Sequence, residues 1–116
     1  IGFCLVGSEM CIRDRNTPLF AGSDGKVFRA ALERDWLPAL ETHQPDIVFI
    51  SAGFDAHVND PLADLQLVED DYRWVTQFIV SIANQYAQGR VVSTLEGGYD
   101  LDALARSVTA HLEALA

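Results

Sequence analysis

The segment Ser51-Ala-Gly-Phe-Asp-Ala-His-Val-Asn-Asp-Pro-Leu62 gathers Asp55, His57 and Asp60 within six positions, directly after the apolar run Ile47-Val-Phe-Ile50. Carboxylates and an imidazole at this spacing can ligate a metal ion or move protons. The apolar run reads as a buried strand that turns through Gly53, and parallel α/β sheets place their ligand groups in loops at the carboxyl ends of strands. The same residues would also serve a polar loop with helix-capping duties. Asp60, which precedes Pro61, is a good turn starter. Spacing alone leaves both readings open.

A second loop follows a second short strand, Arg90-Val-Val-Ser-Thr-Leu95, and reads Glu96-Gly-Gly-Tyr-Asp100. Gly97 and Gly98 let the backbone turn tightly and approach a ligand without side-chain obstruction. If the two strands are neighbours in a parallel sheet, Asp55 and Tyr99 reach the same rim. A carboxylate ligand beside a phenolic donor suits metal-assisted attack of water on a carbonyl, with the phenol steadying the charge that develops on oxygen. The plainer reading of Gly-Gly-Tyr is a turn with a packed aromatic, and His57 could be a surface loop residue.

The elements that must position these loops alternate. Residues from about Asp24 to Thr42 carry Val27, Phe28, Ala31, Leu32, Trp36, Ala39 and Leu40 at offsets of three and four, which predicts an amphipathic helix capped by Ser23 or Asp24. Pro38 should kink or break it. A second helix is expected from about Glu69 to Gln88, with Tyr72, Val75, Phe78, Ile79, Ile82 and Tyr86 inward, an acidic first turn that suits the helix dipole, and Gly89 as its stop. A third should run from about Leu101 to Leu115 and bury Leu101, Leu104, Ala105, Val108, Leu112 and Leu115. Asn16 to Gly22 reads as loop. Helix, strand, helix, strand, helix is the tail of an open parallel α/β sheet, and two strands are too few to cover three helices, so more sheet is expected upstream.

The bulk properties narrow the function classes. With 116 residues and 49% hydrophobic content, the chain is one domain or part of one and can pack a core. A net charge of -9, from 17 acidic and 8 basic residues, disfavours direct nucleic-acid binding. No apolar run approaches the roughly 20 residues that cross a bilayer, and no signal peptide is evident. The expectation is a cytoplasmic protein without membrane or nucleic-acid partners. The chain opens on Ile1 rather than Met, and Val6-Gly-Ser-Glu-Met-Cys-Ile-Arg-Asp-Arg15 resembles translated sequencing-adapter sequence. Residues 1–15 are therefore expected to be non-native and residues 16–116 to form the domain. Cys4 and Cys11 then carry no disulfide or metal argument. Residues 1–15 hold two acids and two bases, so the acidity belongs to the domain.

Ser51–Leu62 together with Leu95-Glu-Gly-Gly-Tyr-Asp-Leu101 resembles the last two motifs of the histone deacetylase superfamily, in its class II-like and bacterial branch of acetoin-utilisation proteins and acetylpolyamine amidohydrolases. Asn16-Thr-Pro-Leu19 and Leu37-Pro-Ala-Leu40 resemble the segments that precede them. The resemblance implies the carboxyl-terminal part of an arginase/deacetylase-like fold, a three-layer α/β/α sandwich on an open parallel sheet. It implies a zinc cofactor with Asp55 as one ligand, and Tyr99 as the catalytic residue that hydrogen-bonds the scissile carbonyl. Gly97, Gly98 and Phe54 would border the acyl-lysine tunnel, while His57 and Asp60 shape the loop. The implied reaction is amide hydrolysis of acetyl-lysine or an acetylated polyamine-type amine, releasing acetate.

The family's paired histidines and its Asp-x-His zinc pair do not occur in this chain; Asp55-Ala-His57 aligns with the later motif, so the resemblance does not imply that His57 is a ligand. One carboxylate does not hold a catalytic zinc that takes three protein ligands. The isolated chain is therefore expected to be inactive. The alternative is a non-catalytic α/β module, or a fragment of a pseudoenzyme, that binds a cationic partner through its acidic face. Oligomeric state is not legible in the sequence.

Overall fold

The computed structural model describes residues 2–5 and 15–116. Most of the segment expected to be non-native thus lies outside the described residues, Cys11 included. Two short strands, β1 (Gly2–Leu5) and β2 (Arg15–Pro18), pair antiparallel with Gly2 opposite Pro18. β2 falls where a loop was expected. Its four residues are too few for an alternating pattern, and Pro18 is tolerated at the end of an edge strand. Thr17 is buried and its hydroxyl donates to Asp35 Oδ2 at 3.2 Å, which seats the strand on the first helix.

That helix, α1 (Gly25–His43), starts at Asp24, whose carboxylate accepts from the amides of Lys26 and Val27, both at 3.1 Å. It ends at Gln44 in the left-handed region, with φ 52°. Pro38 lies inside it and does not end it. The backbone donor that Pro38 lacks would have served the carbonyl of Arg34, one turn back on the same exposed face. Water can take that place, while Trp36 and Leu40 hold the opposite face in the core.

β3 (Val48–Ala52) and β4 (Val91–Leu95) are parallel and adjacent, in register from Val48 opposite Val91 to Ala52 opposite Leu95. α2 (Glu69–Tyr86) is the crossover between them, and α3 (Leu101–Leu115) follows β4 and packs on α2. Strand side chains alternate between faces. Ile50 and Ala52 join one apolar core with Phe28, Leu32, Trp36 and Leu40 of α1 and Tyr72 and Ile82 of α2, whereas Phe49 is 71% exposed on the other face. Each large side chain fully buried in this core contributes about 1.5–3 kcal/mol. Among the described residues, helices cover one face of the sheet.

The inward face of α3 keeps Leu104 and Val108 of its apolar stripe, which pack on the core, and otherwise differs from it. Ala103, Ser107, Ala110 and His111 are buried, while Leu101, Ala105 and Leu112 are exposed. Small residues let α3 approach α2 closely at Thr76, and tight helix contact outweighs the larger stripe. His111 is the keystone: its Nδ1 lies 2.7 Å from Thr76 Oγ1 and its Nε2 2.8 Å from Ser93 Oγ. The Thr76 hydroxyl donates to the Tyr72 carbonyl, so it accepts from Nδ1–H and leaves Nε2 to accept from Ser93. Burial pushes the His111 pKa down, which favours this neutral form.

Candidate functional site

The two strand-end loops are joined by backbone hydrogen bonds. Glu96 N–H donates to the Ala52 carbonyl and Phe54 N–H to the Gly97 carbonyl, both at 2.9 Å, so the parallel ladder runs on past the strands. This sets the Asp55 carboxylate against two glycines. A Cβ added at Gly97 would lie 3.2 Å from Asp55 Cγ, and one at Gly53 would lie 3.1 Å from Asp55 Oδ1. Gly98 has φ +139°, where other residues are strained, and a Cβ there would meet Leu104 Cδ1 at 2.7 Å. The glycine pair therefore keeps room for a carboxylate on one side and packs the turn onto α3 on the other.

Tyr99 follows, 56% exposed. Its backbone N–H donates to Asp60 Oδ2 at 2.8 Å, and Asp60 Oδ1 accepts from Leu62 N–H at 2.9 Å. Next in the chain, the Asp100 carboxylate accepts from Ala103 N–H at 2.8 Å and caps α3. Phe54 is 4% exposed and packs in the core against Tyr72, with ring centroids 5.0 Å apart, and edge-on to His111 at 5.7 Å. Alternation along the strand sends Phe54 inward and turns Asp55 outward.

His57 is buried, not a surface loop residue. Its Nδ1 accepts from Asn59 N–H at 3.1 Å, so Nε2 carries the proton in the neutral ring. Nε2 lies 3.2 Å from Glu69 Oε1, within reach but without the alignment of a well-formed hydrogen bond. Leu67 N–H donates to the Ala56 carbonyl and Val58 N–H to the Leu67 carbonyl, which closes the loop on itself.

Glu69 opens α2 and joins three elements, because Arg106 of α3 donates to Glu69 Oε1 at 2.6 Å. The Arg106 hydrogen bond first, then the helix-start amide and His57, hold the Glu69 carboxyl down at about 2. A carboxyl lowered in the folded state stabilises fully above its unfolded pKa, near 4.5, and loses that contribution as pH falls towards 2. Solvent screens the half-exposed Arg106. Glu69→Gln should therefore lower stability by about 1 kcal/mol at pH 7 and little at pH 2, measured by urea unfolding at both pH values. An equal loss at both would rule the linkage out.

Behind the site, Asp71 of α2 is buried; its Oδ1 accepts from Arg29 Nε at 3.1 Å and Nη2 at 3.0 Å, and its Oδ2 from Val68 N–H at 3.0 Å. A Cβ at Gly25 would occupy the place of this carboxylate. The Tyr72 hydroxyl is also buried; burial first, then the charges of Asp55, Asp60 and Asp71, push its pKa up and keep it protonated. Sequence reasoning did not find Glu69, Asp71, Arg29 or Arg106 as site supports. An acidic first turn on α2 was the one visible signal, and it reads equally as a dipole effect.

Asp55 suits metal ligation as far as one residue can. Its carboxylate is half-buried at a strand end, beside glycines, with no ion-pair partner among the described residues. Among those residues no three His, Cys, Asp or Glu side chains converge on a metal position. No described helix is long and apolar enough to cross a membrane.

The family model for the histone deacetylase domain matches residues 7–115. The histone deacetylase-like amidohydrolase of Pseudomonas aeruginosa is 40% identical over 84 residues, covering 72% of this chain and 22% of that protein. Histone deacetylase 14, chloroplastic, of Arabidopsis thaliana is 41% identical over 100 residues, covering 86% of this chain and 24% of the relative. The crystal structure of the HDA15 HD domain superposes with TM-score 0.79 at 34% identity, over 86% of this chain and 27% of that one. The chain thus spans about a quarter of the length of each. Its parallel strands, ordered motifs and glycine-flanked carboxylate sit within that match, and the chain belongs to the histone deacetylase family.

Proposed function

We propose that the whole protein is a zinc-dependent amidohydrolase that removes acetyl groups from acetyl-lysine or an acetylated polyamine-type amine. The observation that carries this is the joining of the Asp55 loop to the Tyr99 loop by the Phe54–Gly97 backbone bond and the Asp60–Tyr99 bond. Asp55 would be one zinc ligand, with the remaining ligands drawn from the rest of the domain. Zinc bound there would supply Lewis-acid polarisation of the amide carbonyl and a more acidic water. Tyr99 would donate its phenolic hydrogen bond to the carbonyl oxygen as negative charge builds on it. Gly97 and Gly98 would let the acyl-amine pass close to the backbone. The acidic surface favours cationic substrates such as lysine side chains and polyamines.

This chain by itself is proposed to be inactive and to bind zinc weakly, because a single carboxylate supplies one of the three protein ligands required. The purified 116-residue chain should release acetate from an acetyl-lysine peptide at the uncatalysed rate. The protein completed from its upstream reading frame should hydrolyse the peptide or an acetylated polyamine and lose activity with a chelator. Chelator-sensitive turnover by the short chain would overturn the first statement. A completed protein that retains the His-His and Asp-x-His motifs yet cleaves neither substrate would overturn the second.

A further inference from the structure

The role of Asp60 goes beyond shaping its own loop: we infer that it is a positioning residue that holds Tyr99 to the loop carrying Asp55. The inference rests on the proposed role of Tyr99 in amide hydrolysis, although the structural part of it stands without that role. Asp60 is 7% exposed, and no cationic side chain pairs with it among the described residues. A carboxylate buried without a counter-ion must be held by hydrogen-bond donors. Its two oxygens are used separately. Oδ1 accepts from Leu62 N–H, two residues on, as an ordinary turn-forming aspartate does. Oδ2 reaches 39 positions along the chain to Tyr99 N–H. A turn starter needs only the first of these bonds.

The second bond acts where Tyr99 has little other restraint. Before it stands Gly98, at φ +139°, a residue type with wide backbone freedom. After it stands Asp100, already committed to capping α3 through Ala103 N–H. Tyr99 is 56% exposed, and among the described residues no side-chain hydrogen bond aims its phenol. Tyr99 thus lies between the Asp60 bond to its own N–H and the α3 cap that holds the next residue. Rotating the Gly98–Tyr99 peptide plane would redirect the Cα–Cβ bond of Tyr99 and move its phenol. A misplacement of about 1 Å at a reacting group is enough to cost about a hundredfold in rate. The Phe54–Gly97 bond sets the distance between the loops; Asp60 sets the direction of Tyr99.

The test has a structural and a kinetic arm. In this chain, amide hydrogen exchange of Tyr99 should speed up by about 10- to 100-fold in Asp60→Ala and by less in Asp60→Asn, which retains one acceptor. Protection of Phe54, Glu96 and Ala103 should stay within about twofold in Asp60→Asn. Unchanged Tyr99 exchange in both variants would overturn the inference, as would uniform loss of protection across the chain in Asp60→Asn. In the completed protein, Asp60→Asn should lower kcat by about 10- to 100-fold with KM within about twofold, and combining it with Tyr99→Phe should cost less than the product of the two single losses. Multiplicative losses would overturn the coupling. If the completed protein hydrolyses neither acetyl substrate, the deacetylase reading fails, and the exchange arm still decides whether Asp60 holds Tyr99.

Discussion

Tyr99→Phe in the completed protein is expected to lower kcat for an acetyl-lysine peptide by about 10²- to 10³-fold, the loss typical of removing one donor to a developing oxyanion. KM should move by no more than about twofold, because the ring remains and only the hydroxyl is lost. The hydrogen bond proposed for it would strengthen as the carbonyl oxygen gains charge, so its removal should fall on the transition state rather than on binding. Folding should be almost untouched. Tyr99 is 56% exposed, its backbone amide is held by Asp60 in the variant as in the parent, and its ring contributes nothing to the buried core. Zinc content should also be unchanged, since Asp55 is anchored by the Phe54–Gly97 bond and by its fit against Gly97. The measurement is steady-state kinetics together with metal analysis and a thermal unfolding curve. A kcat within threefold of the parent, at equal zinc content, would remove Tyr99 from the chemistry.

This expectation depends on two loops that the sequence places with unequal clarity. The strands were legible because Ile47–Ile50 and Arg90–Leu95 are short apolar runs bounded by Pro, Gly and acidic turns; their adjacency was only a condition in the sequence and is shown by the structure. The helix limits were legible from Asp24, Gly89 and the acidic start of α2. The inward face of α3 was legible in part, since Leu104 and Val108 pack on the core as expected. Apolar periodicity points to Leu101 and Leu112, yet Ala103, Ser107 and His111 are the buried residues, because close approach of two helices selects small side chains and a paired histidine over bulk. Phe54 and His57 are both buried, and the sequence does not show it for either. Residues alternate in direction along a strand and its continuation, and a sequence does not mark where that alternation ends in a loop. The pairs that join distant segments, Asp60 with Tyr99 and Arg29 with Asp71, leave no local pattern, since each partner looks like an ordinary turn, cap or surface residue by itself.

The Arg29–Asp71 pair carries the largest expected effect on folding. Asp71→Ala should lower stability by about 3 kcal/mol, read as a fall in urea midpoint at constant slope. Three hydrogen bonds are lost at once: two from the Arg29 guanidinium and one from Val68 N–H at the start of α2. The cap alone is worth about 1 kcal/mol. The remainder arises because Arg29, one-third exposed, is left, among the described residues, with Asp70 at 3.5 Å and the face of Trp74 at 5.4 Å. Asp71→Asn retains one acceptor and should cost about half as much. Joint replacement by Arg29→Leu and Asp71→Leu should recover part of the loss, because two apolar side chains leave no charge unpaired, though the Val68 amide then stays uncapped. Gly25→Ala should mimic Asp71→Ala without touching either charge, since its Cβ occupies the carboxylate's place. That equivalence is the sharper test: a mild Gly25→Ala beside a severe Asp71→Ala would mean that the carboxylate can shift and keep Arg29. Val68 also ends the loop that begins at Gly53, so a loosened Asp71 cap should raise amide exchange at Leu67 and Val68 before it reaches Phe54. The stability of α1 against α2 is in this way the foundation on which the Asp55 carboxylate is held.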